Sequence, residues 1–477
     1  MLFSSIAFIF YFLPIFLAVY LGSGLRTSVL LGSSVLFYTW GEGAYVLLLA
    51  VLIVVNYGLA HRLEGATTHR RLLLAMGLVL NVGTLALFKY YDFAIANLQL
   101  LLPGLGLQPL GLKLPLGISF FVFQLISYLM DVYFGRVHPE GRLARFATYI
   151  LMFPHLIAGP IVRYAEIREE LVSRRWSPTR LDLGVQYFVV GLCQKVLVAN
   201  TLATVANYAF ELAPAALTPS VAWLGALAYS LQIYFDFCGY SNMAIGLAFM
   251  LGFTFPKNFD YPYSARSVTD FWRRWHMSLS FWFRDYVYIP LGGSRGGRLA
   301  TARNLVVVFF LTGLWHGAAW NFIVWGLLHG TFLLIERGGL GLLLARWPAW
   351  LAGAYTLLVV MVGWVFFRAD TLTHALQYLS AMVSLERVGP LDLGVRMLLS
   401  PEVLGAFAAG LLFAFPALPA LLDGLRFQRH GRIDSIEVRL DPVHVHRLPM
   451  VLLLAGFMFS ISLLVGSSLN PFLYFRF

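Results

Sequence analysis

Apolar residues run through this chain in long blocks rather than in short alternating ones. The blocks fall at about residues 5–22, 27–40, 44–60, 72–88, 114–134, 183–211, 221–250, 304–336, 351–367, 402–422 and 448–466. Runs of about 18 or more apolar residues match a hydrocarbon core of ~30 Å crossed by helix. A transmembrane barrel would alternate apolar and polar positions in segments of ~10 residues, and these blocks do not alternate. The pattern predicts an all-α polytopic membrane protein. The block at 27–40 is short for a full crossing, and 304–336 reads as one helix or two. The stretch 146–162, "FATYILMFPHLIAGPIV", is apolar but carries Pro154, His155, Gly159 and Pro160. Broken backbone at membrane depth needs protein or a water-filled cavity to satisfy it.

Composition supports this picture. The chain is 59% hydrophobic and 12% charged, with a mean hydropathy of +0.76, whereas soluble domains carry about 25% charged residues. The first block has no Lys or Arg before it and no small-residue cleavage site after it, so it predicts a spanning helix rather than a cleaved signal. Cys193 and Cys238 both lie in apolar blocks, without metal-ligand spacing and without the pattern of a disulfide framework. No repeat relates the two halves, which argues against an inverted-repeat transporter. The expected organisation is one integral-membrane domain over 1–477: helices at 1–145, a core at 146–336, and further helices at 337–477.

The net charge of +11 belongs to loops, where cytoplasmic Lys and Arg accumulate. No basic patch extends into a soluble domain, so nucleic acid is not an expected partner. Arg62, Arg70 and Arg71 mark the loop 61–71 as cytoplasmic, and counting back three spans puts the N-terminus outside. Arg136, Arg142 and Arg145 then lie inside, as do Arg163, Arg168, Arg174, Arg175 and Arg180. The stretch 146–162 sits between these two basic loops. A re-entrant segment explains both the charge and the helix breakers. The strongest cytoplasmic mark is 264–303, with seven Arg against two Asp. The charged segment 423–447 is also expected inside, and the parity of 304–336 leaves the side of the C-terminus open.

Two stretches carry candidate chemistry. In "FWRRWHMSLSFWFRDYVYIPLGG", 271–293, Ser267 and Asp270 predict a capped helix start. Helical spacing then puts Trp272, Trp275, Leu279, Trp282 and Tyr286 on one face, and Arg273, His276, Ser280 and Arg284 on a neighbouring one. An interfacial anchor helix is the plain reading, with His276 as a buried structural group or a site. The turn "LGGSRGG", 291–297, lacks the Lys-Ser/Thr of a phosphate loop. In "LTGLWHGAAWNFIVWGLLHG", 311–330, His316 lies inside an apolar block, where ionisable groups face a cavity or a partner. Gly313 and Gly317 flank it and allow a close helix approach. An imidazole near pKa 6.5 suits proton removal from a hydroxyl. Asp236, in "IYFDFCGYSNMAIG", is a second ionisable group in an apolar block. His329 lies thirteen residues beyond His316. These residues show no His-x-His ligand spacing, and no metal is expected.

These motifs, with "FPHLIAGPIVRY" and "FDYPYSARSVTDFWRRWHMSLSFWFRDYVYIPLGGSRGG", resemble the membrane-bound O-acyltransferase family, in its polysaccharide-acetylating branch. The resemblance runs from the N-terminus to about residue 370, and the terminal "NPFLYFRF" is similar too. It implies about eleven spans with re-entrant and interfacial helices around a funnel and tunnel. It implies His316 and His276 as catalytic residues. Asp236, Arg273, Arg274, Ser280, Trp315 and Asn321 are the candidates for holding the donor. It implies a cytoplasmic thioester donor such as acetyl-CoA as co-substrate, with no bound cofactor. The acetyl group would be delivered outside a bacterial inner membrane for acetylation of an exopolysaccharide such as alginate, with a periplasmic SGNH-type acetyltransferase and the polysaccharide secretion machinery as partners. The alternatives are D-alanyl transfer to teichoic acid from a carrier protein, a proton-coupled transporter using Asp236 and His316, and a scaffold for secretion.

Overall fold

A computed structural model describes residues 2–104, 106–384, 393–416, 450–466 and 473. Among the described residues all regular structure is helical, which satisfies backbone groups within each segment as a bilayer requires. Seven helices are long and apolar enough to cross a membrane: Tyr45–Gly65, Arg70–Leu101, Pro178–Glu211, Pro219–Leu251, Gly297–His316, Trp320–Leu344 and Ala349–Arg368. Four shorter apolar helices cover Phe8–Gly22, Ile118–Tyr133, Pro401–Phe413 and Met450–Gly466. The short second block forms Arg26–Glu42, 17 residues. The expected basic segment 423–447, the end of the block 402–422, and "NPFLYFRF" apart from Leu473 lie outside the described residues.

The chain divides into two compact units, Met1–Phe188 with Met243–Pro256, and Val189–Asn242 with Lys257–Phe477. In the first, the helix-breaking stretch is broken as expected, into Leu143–Leu151 and Phe153–Leu156. Nine helical residues rise only about 14 Å, half a hydrocarbon core, so neither piece crosses. Phe153 enters a cluster of rings, 5.4 Å from Phe12, 5.2 Å from Phe16 and 5.4 Å from Phe37. Its N–H donates to Ser34 Oγ at 3.2 Å. Asn56 and Asn81 donate to each other's side-chain oxygens at 3.1 and 2.7 Å and to the Leu52 and Gly77 carbonyls. That pairing satisfies two amides inside apolar helices.

In the second unit the block 304–336 resolves into two helices, Gly297–His316 and Trp320–Ile335. They part at Gly317, whose backbone is extended. Gly313 and Gly326 let the pair approach backbone to backbone. A Cβ on Gly326 would come within 3.0 Å of the Gly313 Cα, and one on Gly313 would strike the Phe322 carbonyl. His316 is therefore the last residue of its helix, not a mid-helix group.

The stretch 267–286 corrects an expectation. It is not one helix but three pieces: Val268–Arg274, Met277–Phe283 and a wider π turn at Arg284–Tyr288. The break falls at Trp275 and His276, and His276 takes the left-handed conformation, φ 43° and ψ 54°. For a residue with a Cβ that costs roughly 1–2 kcal/mol, so its surroundings must hold it. The predicted faces do not survive the break. His276 is fully buried, whereas Arg273 and Arg284 are exposed. The tryptophans 272, 275 and 282 are buried within the protein rather than laid on its surface. The helix start is half as expected. Ser267 Oγ accepts from Asp270 N–H at 3.0 Å. The Asp270 carboxylate takes Arg274 Nε at 3.1 Å instead of closing the capping box. Glu336 satisfies the remaining N-terminal groups, accepting from Val268 N–H, Thr269 N–H and Thr269 Oγ1 at 2.6, 2.9 and 2.6 Å.

Candidate functional site

The turn at His276 is held by one residue that sequence reasoning missed. Asn258 Oδ1 accepts from Ser278 N–H at 3.2 Å and Ser278 Oγ at 2.9 Å, while Asn258 Nδ2 donates to Ser241 Oγ at 3.1 Å. The Asn258 carbonyl also takes Met277 N–H at 2.9 Å. A backbone N–H can only donate, so the amide atom facing Ser278 is the oxygen. His276 Nδ1 lies 3.2 Å from that same oxygen and must therefore carry a proton. Burial pushes His276 down to about 3, so its ring is neutral at pH 7. The Nδ1–H tautomer leaves the ring's lone pair on Nε2. The left-handed turn has a local reason: it points Nδ1, Met277 N–H and Ser278 N–H toward Asn258 together. Asn258 gave no sequence signal, because it sits in an irregular stretch 18 residues before its partner.

From His276 a run of rings leads inward. Its imidazole lies 6.1 Å from the Trp315 ring, Trp315 lies 4.9 Å from His316, and His316 meets Trp325 edge-on at 4.8 Å. Trp325 in turn lies 5.2 Å from His329. Phe367 packs against both rings, 5.2 Å from His316 and 5.1 Å from Trp325. His316 is 2% exposed, in a setting that excludes bulk water and strengthens any charge interaction. Asn321 acts at one remove. Its Nδ2 donates to the Phe366 and Ala369 carbonyls at 3.2 and 2.7 Å, which fixes the backbone on both sides of Phe367.

The other sequence candidates scatter. Arg274 is committed to structure, pairing with Asp270 at 3.1 Å and Asp260 at 3.8 Å. Arg273 is exposed. Ser280 donates its backbone N–H to the His276 carbonyl at 3.1 Å. Asp236 forms a buried ion pair with Lys195 and accepts from Leu473 N–H at 2.8 Å. Lys195 was legible in principle, as a cation inside an apolar block that needs an acid. The glycine-rich turn is held from inside: Asn304 Nδ2 donates to the Leu291 and Gly293 carbonyls at 3.2 and 2.9 Å. Among the described residues no three His, Cys, Asp or Glu side chains are grouped to hold a metal ion.

Comparison with known proteins finds relatives along the whole chain. The family model described as MBOAT, membrane-bound O-acyltransferase family, matches residues 140–367, a range that contains every candidate above. The chain is 41% identical to a "Probable alginate O-acetylase" of Pseudomonas putida, covering 100% of both. It is 38% identical to a peptidoglycan O-acetyltransferase of Helicobacter pylori over 81% of each chain. It is 32% identical to a teichoic acid D-alanyltransferase of Bacillus subtilis, over 46% of this chain and 58% of that one.

Proposed function

The chain belongs to the membrane-bound O-acyltransferase family and is an O-acyltransferase, and from that premise we propose that it acetylates an exopolysaccharide such as alginate. The acetyl group comes from a cytoplasmic thioester, acetyl-CoA, and is moved across a bacterial inner membrane. The observation that carries this reading is the full-length likeness to a protein named for alginate O-acetylation. The likeness to a D-alanyltransferase covers under half of the chain, which favours acetyl over D-alanyl transfer. Family membership favours acyl transfer over the transporter reading.

His316 is the general base. It takes the proton of an acceptor hydroxyl whose oxygen attacks the thioester carbonyl carbon. The C–S bond breaks, and the sulfur leaves with its electron pair and receives the proton from His316. Proton transfer of this kind contributes about 10²–10⁴ in rate, and the aligned reactants supply much of the rest. His276, neutral and fixed by Asn258, stands one tryptophan away, at the donor end. Exposed Arg273 offers the charge and fork geometry that phosphate on the donor needs. The arginine pattern supports an N-terminus outside and a donor side in the cytoplasm. The acceptor hydroxyl belongs to the polysaccharide, or to a periplasmic SGNH-type acetyltransferase that passes the acetyl group on to it, with the secretion machinery as further partner.

The test is CoA release from acetyl-CoA by the purified protein in nanodiscs, wild type beside His316→Ala, with an acceptor oligosaccharide present. Release in the wild type that vanishes in a folded variant supports the assignment. Equal release from both makes His316 structural and sinks it.

A further inference from the structure

Trp325 and His329 lie one turn apart on the helix Trp320–Ile335, so their side chains share a face. Both are fully buried. Trp272 completes a triangle, 5.7 Å from Trp325 and 5.3 Å from His329. Phenylalanine would fill such a cluster without burying any polar atom. Here, among the described residues, Trp325 Nε1, Trp272 Nε1 and both nitrogens of His329 have no hydrogen-bond partner within the protein. Burying polar groups unpaired is costly, so these nitrogens call for a ligand.

Two of them converge on one point. A Cβ built on Gly363 would lie 2.9 Å from His329 Nε2 and 3.5 Å from Trp325 Nε1. Both nitrogens therefore face the bare Cα of Gly363, and a side chain there would crowd His329 Nε2. The same Trp325 ring meets His316 edge-on at 4.8 Å. An indole N–H only donates, and a neutral imidazole donates through one nitrogen. Two donors gathered beside the base match an oxygen that gains negative charge.

We propose that Trp325 and His329 bind the carbonyl oxygen of the acyl thioester and stabilise it as an oxyanion. The proposal rests on the reading of His316 as base and of a thioester as donor. As the hydroxyl oxygen bonds to the carbonyl carbon, the C=O π electrons move to the carbonyl oxygen, where the two N–H groups hold them. The oxyanion then collapses, the C–S bond breaks, and the thiolate takes the proton held by His316. Preformed donors aimed at a developing charge are among the strongest catalytic devices.

The test uses the full-length protein in nanodiscs and acetyl-CoA carrying 13C at the acetyl carbonyl. Trp325→Phe and His329→Phe keep a ring and remove the N–H. Each is expected to lower kcat for CoA release by about 10²-fold with KM changed less than about threefold. His329→Gln, which restores an N–H, is expected to recover about tenfold. The infrared band of the bound 13C carbonyl should lie below that of free acetyl-CoA and move back up in Trp325→Phe. That second readout needs binding but not turnover. Wild-type kcat and an unmoved band in the Phe variants overturn this inference and leave His316 as base. A raised KM at unchanged kcat overturns it too, because it marks ground-state packing. If the wild type neither binds nor consumes the thioester, the proposed donor falls and this inference falls with it.

Discussion

The stretches 146–162 and 267–283 both interrupt a helix and both bury a histidine near the break, yet they are held by different means. In the first, the His155 ring bonds the Tyr149 carbonyl six residues away at 2.7 Å and stacks on Phe255 at 5.2 Å. Phe153 packs among other phenylalanines. The holding groups are one backbone carbonyl, apolar rings and a single hydroxyl, Ser34 Oγ, which takes Phe153 N–H. In the second, Asn258 and Glu336 reach in from 18 and 68 residues away. Together they fix a left-handed turn, a helix start and the proton position on one imidazole. A break that serves packing is stabilised by whatever apolar surface is at hand. A break that aims a histidine needs specific polar partners, because direction and tautomer are set by hydrogen bonds and not by area.

The contrast breaks most visibly at the end of the ring run. His316→Ala is expected to lower CoA release by about 10²–10⁴-fold, with the protein still eluting as a folded species. Ser34→Ala, which removes the acceptor for Phe153 N–H in the first stretch, is expected to cost about 1 kcal/mol of stability and less than threefold in rate. A large rate loss in Ser34→Ala would mean that the first break is also catalytic. Asn258→Ala comes next. It removes the acceptor that fixes His276 Nδ1–H and the turn behind it, and a loss of about 10–100-fold in kcat is expected, the scale seen when the hydrogen-bond partner of a metal-bound histidine is removed. Unchanged kcat would reduce Asn258 to a turn-forming residue.

The arginines allow a finer cut. Arg273 and Arg274 are adjacent in sequence, but Arg274 is tied to Asp260 and Asp270 and Arg273 is exposed. Arg273→Ala is expected to raise the donor KM by about tenfold, less at high salt where exposed charges are screened, and to leave kcat unchanged. Arg274→Ala is expected to lower thermal stability instead. Steady-state kinetics at two salt concentrations and a melting curve separate the two, and equal KM in Arg273→Ala rejects the docking role.

Much of the fold was legible because apolar blocks of spanning length say where helices are, and clustered Pro and Gly say where 146–162 breaks. His316 was legible because an imidazole inside an apolar block stands out against its surroundings. The break at His276 was not. Residues on either side keep helical spacing, and a left-handed histidine carries no glycine to announce it. Asn258, outside the apolar blocks, and Glu336, at the very end of one, escaped notice because polar residues in such places are ordinary until the fold brings them to a backbone N–H. Trp325 drew no notice in the sequence, and His329 stood out only as a second histidine thirteen residues beyond His316. Only the packing against Gly363 shows that their nitrogens face one point.

A last test reads the protonation state of His276. Burial lowers His276 to about 3 in the folded protein, against about 6.5 in an unfolded chain. The unfolded state therefore binds the proton first as pH falls, and stability is lost as pH drops from about 6.5 toward 3. At pH 5 this group alone removes about 2 kcal/mol, from about 1.5 pH units at 1.36 kcal/mol each. The thermal midpoint of the wild type should fall further between pH 7.5 and 5 than that of His276→Gln, whose amide does not titrate. Equal falls would mean that His276 accepts a proton in the folded state as readily as in the unfolded one. A larger fall in the variant would mean a folded imidazolium, with Nε2 already protonated and no lone pair to offer. Only the first outcome keeps His276 as a neutral ring whose remaining lone pair is directed by Asn258, which is what separates it from a histidine that merely fills space.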